Sequence, residues 1–229
     1  MLMIQQKYFL KSFLVRLLQR VKEVDFIRKK QGCLEDLRKG QETIVIGIMG
    51  VHSGTGVTTM SVAMANYISA FQKKRVAIYE YNEKNHFSVM CEQLLGSAII
   101  SEDEGVFSYK KIDYYCKNST DIVRLQQEGY DAVIVDFGSR ISSIGEFLRC
   151  RHRIIMGSLE PWHYPIYKRF CYDMSDFAGS DLCLHILHGD IADITVVSKS
   201  LKICGVKRPE IDNPFIVNTD LIKFFQILF

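Results

Sequence analysis

The chain has 229 residues, 48% hydrophobic and 24% charged, with a net charge of +3 at pH 7. Those values fit one α/β domain with a full core, leave little room for two domains, and include no run of about 18 apolar residues that could cross a membrane as a helix. The charge is uneven: residues 1–30 carry eight Lys and Arg against Glu23 and Asp25, a balance of +6, so the rest of the chain sums to −3.

Within that basic segment, Phe9, Leu10, Phe13, Leu14, Leu17, Leu18, Val21 and Val24 recur at helical spacing. The pattern predicts an amphipathic helix with a cationic outer face over residues 7–27. It sits in a basic arm and linker, residues 1–42, ahead of a domain over 43–229. Charges recur through the arm and no small-residue cleavage site follows an apolar stretch, so it does not read as a signal peptide. The body then alternates. Strands are expected at 44–49, 76–79, 132–135, 153–157 and 182–187, with a short one within 106–116. Helices are expected at 57–72, 87–95, 141–149, 164–177 and 190–202, and from a Ser119 or Thr120 cap through Gln127. In the first helix Met60, Ala63, Met64, Tyr67, Ile68 and Phe71 are expected to turn inward. Near-continuous apolar strands between helices predict a mainly parallel sheet covered on both faces.

The richest stretch is Ile44-Val45-Ile46-Gly47-Ile48-Met49, then Gly50-Val51-His52-Ser53-Gly54-Thr55-Gly56-Val57-Thr58-Thr59. A buried strand, a glycine-rich turn and a helix start form the layout of a phosphate-binding loop, in which backbone N–H groups and a helix N-terminus hold an anion. Ser53, Gly54, Thr55, Gly56, Val57, Thr58 and Thr59 are the candidate phosphate-binding residues. Thr58 is placed to offer its hydroxyl to Mg²⁺. The usual pattern has glycine where Val51 stands and lysine where Val57 stands. The competing reading is that Gly54 and Gly56 make only a tight strand-to-helix turn.

This loop, with Ala65-Asn66-Tyr67 on the next helix, resembles the MinD/ParA group of P-loop ATPases, whose loop reads K-G-G-x-G-K-T-T. Arg75-Val76-Ala77-Ile78-Tyr79-Glu80-Tyr81-Asn82 is similar to the group's K-V-L-L-I-D-x-D. Tyr130-Asp131-Ala132-Val133-Ile134-Val135-Asp136-Phe137-Gly138 is similar to its Y-D-Y-I-I-I-D-x-P. The resemblance covers roughly residues 43–160. It implies a P-loop NTPase fold, ATP or ADP with Mg²⁺, and Thr58 with Asp136 as the metal-binding pair. Asp136 and Glu80 become the candidate catalytic carboxylates. The departures matter equally. His52 stands where the group has the lysine that reaches a partner's nucleotide, Val57 where it has the phosphate lysine, and Asn82 where it has the second carboxylate. Two cations are therefore missing from a reaction that depends on stabilising developing negative charge. The CpaE/TadZ-like proteins of Tad/Flp pilus assembly tolerate a similar loss, with loops resembling G-G-V-G-T-T-T. That resemblance implies a pseudo-ATPase acting as a localisation or scaffold protein, with protein partners in a secretion or pilus machine and His52 toward a second subunit of a homodimer. The alternatives are a slow ATPase that borrows a cation, for example from Arg140 or a neighbouring subunit, and a purely structural module whose loop is empty.

The remaining features have plain readings. The basic arm could lie on an anionic membrane, and the amphipathic 221–229 segment could do the same; packing of each against protein is the favoured reading. A DNA partner is not expected, because the body is acidic and no reading helix or stacking platform is evident. Seven scattered cysteines without C-x-x-C spacing suggest core thiols in a reducing cytoplasmic setting, with no zinc and no haem. His185 and His188 fall on opposite faces of a strand and make a poor metal pair. Asp190 is expected to cap a helix, and Trp162 to pack.

Overall fold

A computed structural model of the chain describes residues 42–96 and 105–228. The basic helix expected over residues 7–27 lies outside the described residues.

The strands are β1 (Ile44–Gly50), β2 (Val76–Glu80), β3 (Val106–Tyr109), β4 (Ile112–Tyr115), β5 (Ala132–Asp136), β6 (His152–Ser158), β7 (Leu184–His188) and β8 (Cys204–Lys207). The helices are α1 (Val57–Phe71), α2 (His86–Leu95), α3 (Ile122–Gln127), α4 (Ile144–Arg149), α5 (Tyr164–Ser175), α6 (Ile191–Leu201) and α7 (Thr219–Leu228). One sheet runs β3-β4-β2-β5-β1-β6-β7-β8, parallel throughout except for the β3–β4 pair. This is the α/β architecture that the apolar strands predicted.

Side-chain alternation divides the core into two layers. Ile44, Ile46 and Ile48 of β1 face one layer with Ile78 of β2 and Ile134 of β5, where α1, α2 and α7 contribute Met60, Met64, Phe87 and Phe225. Val45 and Met49 face the other, with Val133 and Val135, under Phe147 of α4, Tyr167 and Phe170 of α5, and Ile194 of α6. The register Ile46 to Ile134 to Ile78 keeps like faces together across the sheet.

Several expectations need correction. Residues 106–115 form a hairpin of two strands, turned by Lys110 and Lys111 at φ 51° and 65°. Two positive φ values are what a two-residue hairpin turn demands, and glycine or asparagine would have signalled it. Asp121, rather than Ser119 or Thr120, caps α3, its Oδ1 accepting from the Arg124 N–H at 2.8 Å. Residues 141–143 are a 3₁₀ turn leading into α4. β8 completes the sheet beyond the last expected strand. Phe71 is half exposed, because it falls at the end of α1 beyond the sheet's cover, and Trp162 is 66% exposed rather than packed. The terminal segment docks as α7, with Leu221, Phe225 and Leu228 buried and the Phe225 ring 5.0 Å from that of Tyr67. Among the described residues, no helix is long and apolar enough to cross a membrane.

Candidate functional site

In a parallel sheet the loops leaving the strand C-termini share one edge, and ligands gather where the winding direction changes. Here that point lies around β1, flanked by β5 and β6. The loops after β1, β2, β5, β6, β7 and β8 all open onto this edge.

The loop after β1 has the geometry of an anion nest. Gly54 and Gly56 both sit at φ 86°, in the left-handed region where side-chain-bearing residues are strained. Gly56 is also the N-cap of α1, without a side-chain cap. The helix's first bond runs from Met60 N–H to the Gly56 carbonyl at 2.9 Å, which leaves the amides of Val57, Thr58 and Thr59 at the open end. The side chains of the loop divide. Ser53 is exposed. Thr55 is buried under the loop, its hydroxyl donating to the His52 carbonyl at 3.2 Å. Val57 is 6% exposed and belongs to the apolar layer over β1. Thr55 and Val57 can therefore offer a ligand their backbones, while their side chains hold the loop's shape.

Thr58 and Asp136 come together across 78 residues of sequence: the Thr58 hydroxyl donates to Asp136 Oδ2 at 2.6 Å. The other carboxylate oxygen accepts from Gly138 N–H at 2.8 Å and Asn82 Nδ2 at 3.1 Å. Asp136 is fully buried, and burial pushes its pKa above the carboxylate range while the Thr58 and Gly138 hydrogen bonds pull the other way. His86 Nδ1 lies 3.1 Å from the Thr58 hydroxyl oxygen. With its single proton committed to Asp136, that hydroxyl can only accept from His86, so the contact needs a proton on His86 Nδ1.

Glu80 is also fully buried, but its carboxylate is committed to the start of α2. Its oxygens accept the N–H groups of His86 at 2.7 Å and Phe87 at 3.3 Å, capping α2. Burial raises its pKa, as does the nearby Asp136 charge. Asn82 stitches the loop after β2 to the end of β5: its Nδ2 donates to the Asp136 carbonyl at 3.0 Å, and its Oδ1 accepts the Lys84 N–H at 3.0 Å. Arg140 is engaged elsewhere, with Glu83 at 2.8 Å and Ser142 at 3.1 Å.

On the far side of the loop lies a cleft of about 680 Å³, lined by Gly56, Thr59, Met156, Pro161, Arg208 and Pro209 among others. Arg208, just after β8, donates to the Thr55 carbonyl at 3.0 Å and fixes the loop from this side. His52 stacks on His163 of the same chain, with ring centroids 3.9 Å apart, and its Nδ1 lies 2.8 Å from the Ser53 carbonyl. His163 in turn contacts Glu160 at 3.1 Å. The Glu160 carboxyl, which desolvation would raise, is held below its usual range by hydrogen bonds from His163 and Ser158. His185 bonds the buried Tyr167 hydroxyl at 2.8 Å, while His188 is exposed on the cleft. Asp190 occupies the N-cap position of α6 with no side-chain cap bond, and it too lines the cleft. Lys84, His86 and Arg208 were not singled out by sequence reasoning. No local motif marks them, because each reaches the loop only through the tertiary fold.

No protein-family model matches this sequence, and no curated protein matches it. Solved structures do. A Borrelia burgdorferi B31 protein classed with plasmid partition, bound to AMPPNP, superposes with a TM-score of 0.58 at 14% identity, covering 82% of this chain and 97% of its own. A ParA family ATPase from Chlorobium tepidum TLS gives 0.57 at 16% identity, covering 81% and 97%. The fold is that of ParA-type ATPases. The cobyrinic acid a,c-diamide synthase of Mycobacterium smegmatis, with a bound ATP analogue and magnesium, follows at 0.50 and 12% identity, covering 69% and 82%. Within this fold, Gly54, Gly56, Thr58 and Asp136 lie at one edge of the sheet, and Val57 is turned into the core.

Proposed function

We propose that this chain is a nucleotide-responsive scaffold or localisation protein built on the ParA/MinD ATPase plan, one that binds ATP or ADP with Mg²⁺ and turns it over poorly. The observation that carries the reading is the division within one loop: an open anion nest on Gly54 and Gly56 beside a Thr58–Asp136 pair, with Val57 buried where a phosphate cation would project. The residues fit the group. The nest and the open amides of Val57, Thr58 and Thr59 would hold phosphate oxygens. Thr58 and Asp136 would hold the metal, and the 680 Å³ cleft has the size of a small-ligand site. Bound Mg²⁺ supplies charge neutralisation at the phosphates.

The missing loop lysine argues against efficient hydrolysis. Removing a single preorganised donor for developing negative charge costs about 10²–10³ in kcat. Phosphate release should therefore stay at least about a hundredfold below that of a lysine-bearing ParA-type enzyme assayed alongside. Turnover matching that enzyme would overturn the pseudo-ATPase reading.

A place in Tad/Flp pilus assembly is the finer part of the proposal. It rests on the likeness of Ser53-Gly54-Thr55-Gly56-Val57-Thr58-Thr59 to the lysine-free loops of the CpaE/TadZ-like branch. A homodimer and a peripheral membrane contact through the basic arm belong to the same proposal. Co-purification with a secretion ATPase from the native host is the expected result; recovery without any component of such a machine would count against it.

A further inference from the structure

The positive charge that Val57 does not provide has a source on another loop. Lys84 follows β2, and the Asn82 amide accepts its backbone N–H at 3.0 Å. Asn85, left-handed at φ 54°, then opens α2. This turn sends the Lys84 side chain across to the phosphate loop, where Nζ lies 3.4 Å from Ser53 Oγ. Its charge is felt at Asp136. Of the other nearby cations, Arg140 and Lys117 are neutralised by Glu83, while Arg208 keeps its charge but is fixed on the cleft side of the loop by the Thr55 carbonyl. Among the described residues, Lys84 makes no salt bridge.

We propose that Lys84 is a phosphate-binding cation of this site, holding the polyphosphate of a nucleoside di- or triphosphate from the exposed rim at Ser53 rather than from the buried position of Val57, and so contributing to binding and not to turnover. Asn82 is its positioning residue, and the amide is better suited than a carboxylate. Aspartate could accept the Lys84 N–H, but it could not donate to Asp136, and it would set a second negative charge against that buried carboxylate. Ser53 hands Lys84 over: its hydroxyl holds Nζ at the mouth of the nest without neutralising it. Lys84 is exposed, so its pull on an anion weakens as salt rises. The inference rests on the nucleotide-binding reading above and refines it.

The test is titration calorimetry of the full chain with adenosine, ADP and ATP, each with Mg²⁺, at low and high salt. The variants are Lys84→Met, Lys84→Arg and Arg140→Met. A charge-assisted contact to phosphate predicts that Lys84→Met weakens ATP binding at least about tenfold and flattens its salt dependence. Adenosine binding is unchanged, Lys84→Arg restores most of the loss, and Arg140→Met behaves as wild type. Because Lys84 is exposed, equal melting temperatures confirm that the variants are folded. Unchanged ATP affinity in Lys84→Met overturns the role of Lys84 while leaving nucleotide binding intact. Wild-type protein that binds none of the three ligands overturns the nucleotide reading itself.

Discussion

Two buried carboxylates set the chemistry of single residues here. Burial is the leading cause that pushes both Asp136 and Glu80 above the usual carboxylate range, and Glu80 feels the Asp136 charge as well. A carboxyl group whose pKa is higher folded than unfolded binds its proton more readily in the folded state. Its stabilising effect is complete below the unfolded value and is lost as pH rises through the folded one. The apo protein should therefore lose melting temperature as pH rises above the ordinary carboxylate range, and Asp136→Asn should lose less over the same rise. Parallel curves for the two proteins would show that Asp136 titrates as an ordinary carboxylate. Glu80 illustrates what sequence cannot convey at this scale. At the end of β2 it occupies a position that the family resemblance marks as catalytic, yet both its oxygens are occupied with the first amides of α2. Which way a carboxylate at a strand end turns is decided by the donors around it, and those come from elsewhere in the chain.

At the scale of elements, periodicity located the strands and helices whose apolar faces are wide: β1, β2, β5, β6, α1 and α5 all fall within a residue or two of expectation. What escaped were elements whose signal is conformational. The β3–β4 hairpin turns on Lys110 and Lys111, residues with no special liking for positive φ, held there by the pairing of Phe107 with Tyr114 and Val106 with Tyr115. β8 is short, contains Gly205 and is only partly covered, so it lacks an apolar run. The terminal helix α7, by contrast, is the amphipathic, packed segment expected over 221–229; it is buried against α1, with Asn218 accepting the Leu221 N–H at 2.9 Å to start it. Phe225 is fully buried beside Tyr67. Phe225→Ala should destabilise the fold by about 3–5 kcal/mol in denaturant titration. A change under about 1 kcal/mol would mean that α7 is peripheral to the core and free to serve another surface.

For the whole molecule, the parallel sheet brings its strand-end loops to one edge and so assembles a site from residues 52 to 208. The pairing of Thr58 with Asp136 is what the family resemblance implies, and the glycine-rich loop could be read from sequence because its motif is local. The supporting contacts could not. Arg208 reaches Thr55 across 153 positions, Lys84 reaches Ser53 across 31, and His52 folds back onto His163. Such contacts are consequences of topology and leave no spacing to detect. The result is a site whose glycine-rich turn, Thr58–Asp136 hydrogen bond and neighbouring cleft coexist with a hydrophobic residue, Val57, after the last loop glycine.

Calorimetric titration of wild-type protein with ATP and Mg²⁺ tests this account most directly. Saturable binding at one site per chain, abolished by Gly56→Asp, is the predicted result. Absence of heat, together with an unmoved melting temperature at millimolar ATP, would contradict it.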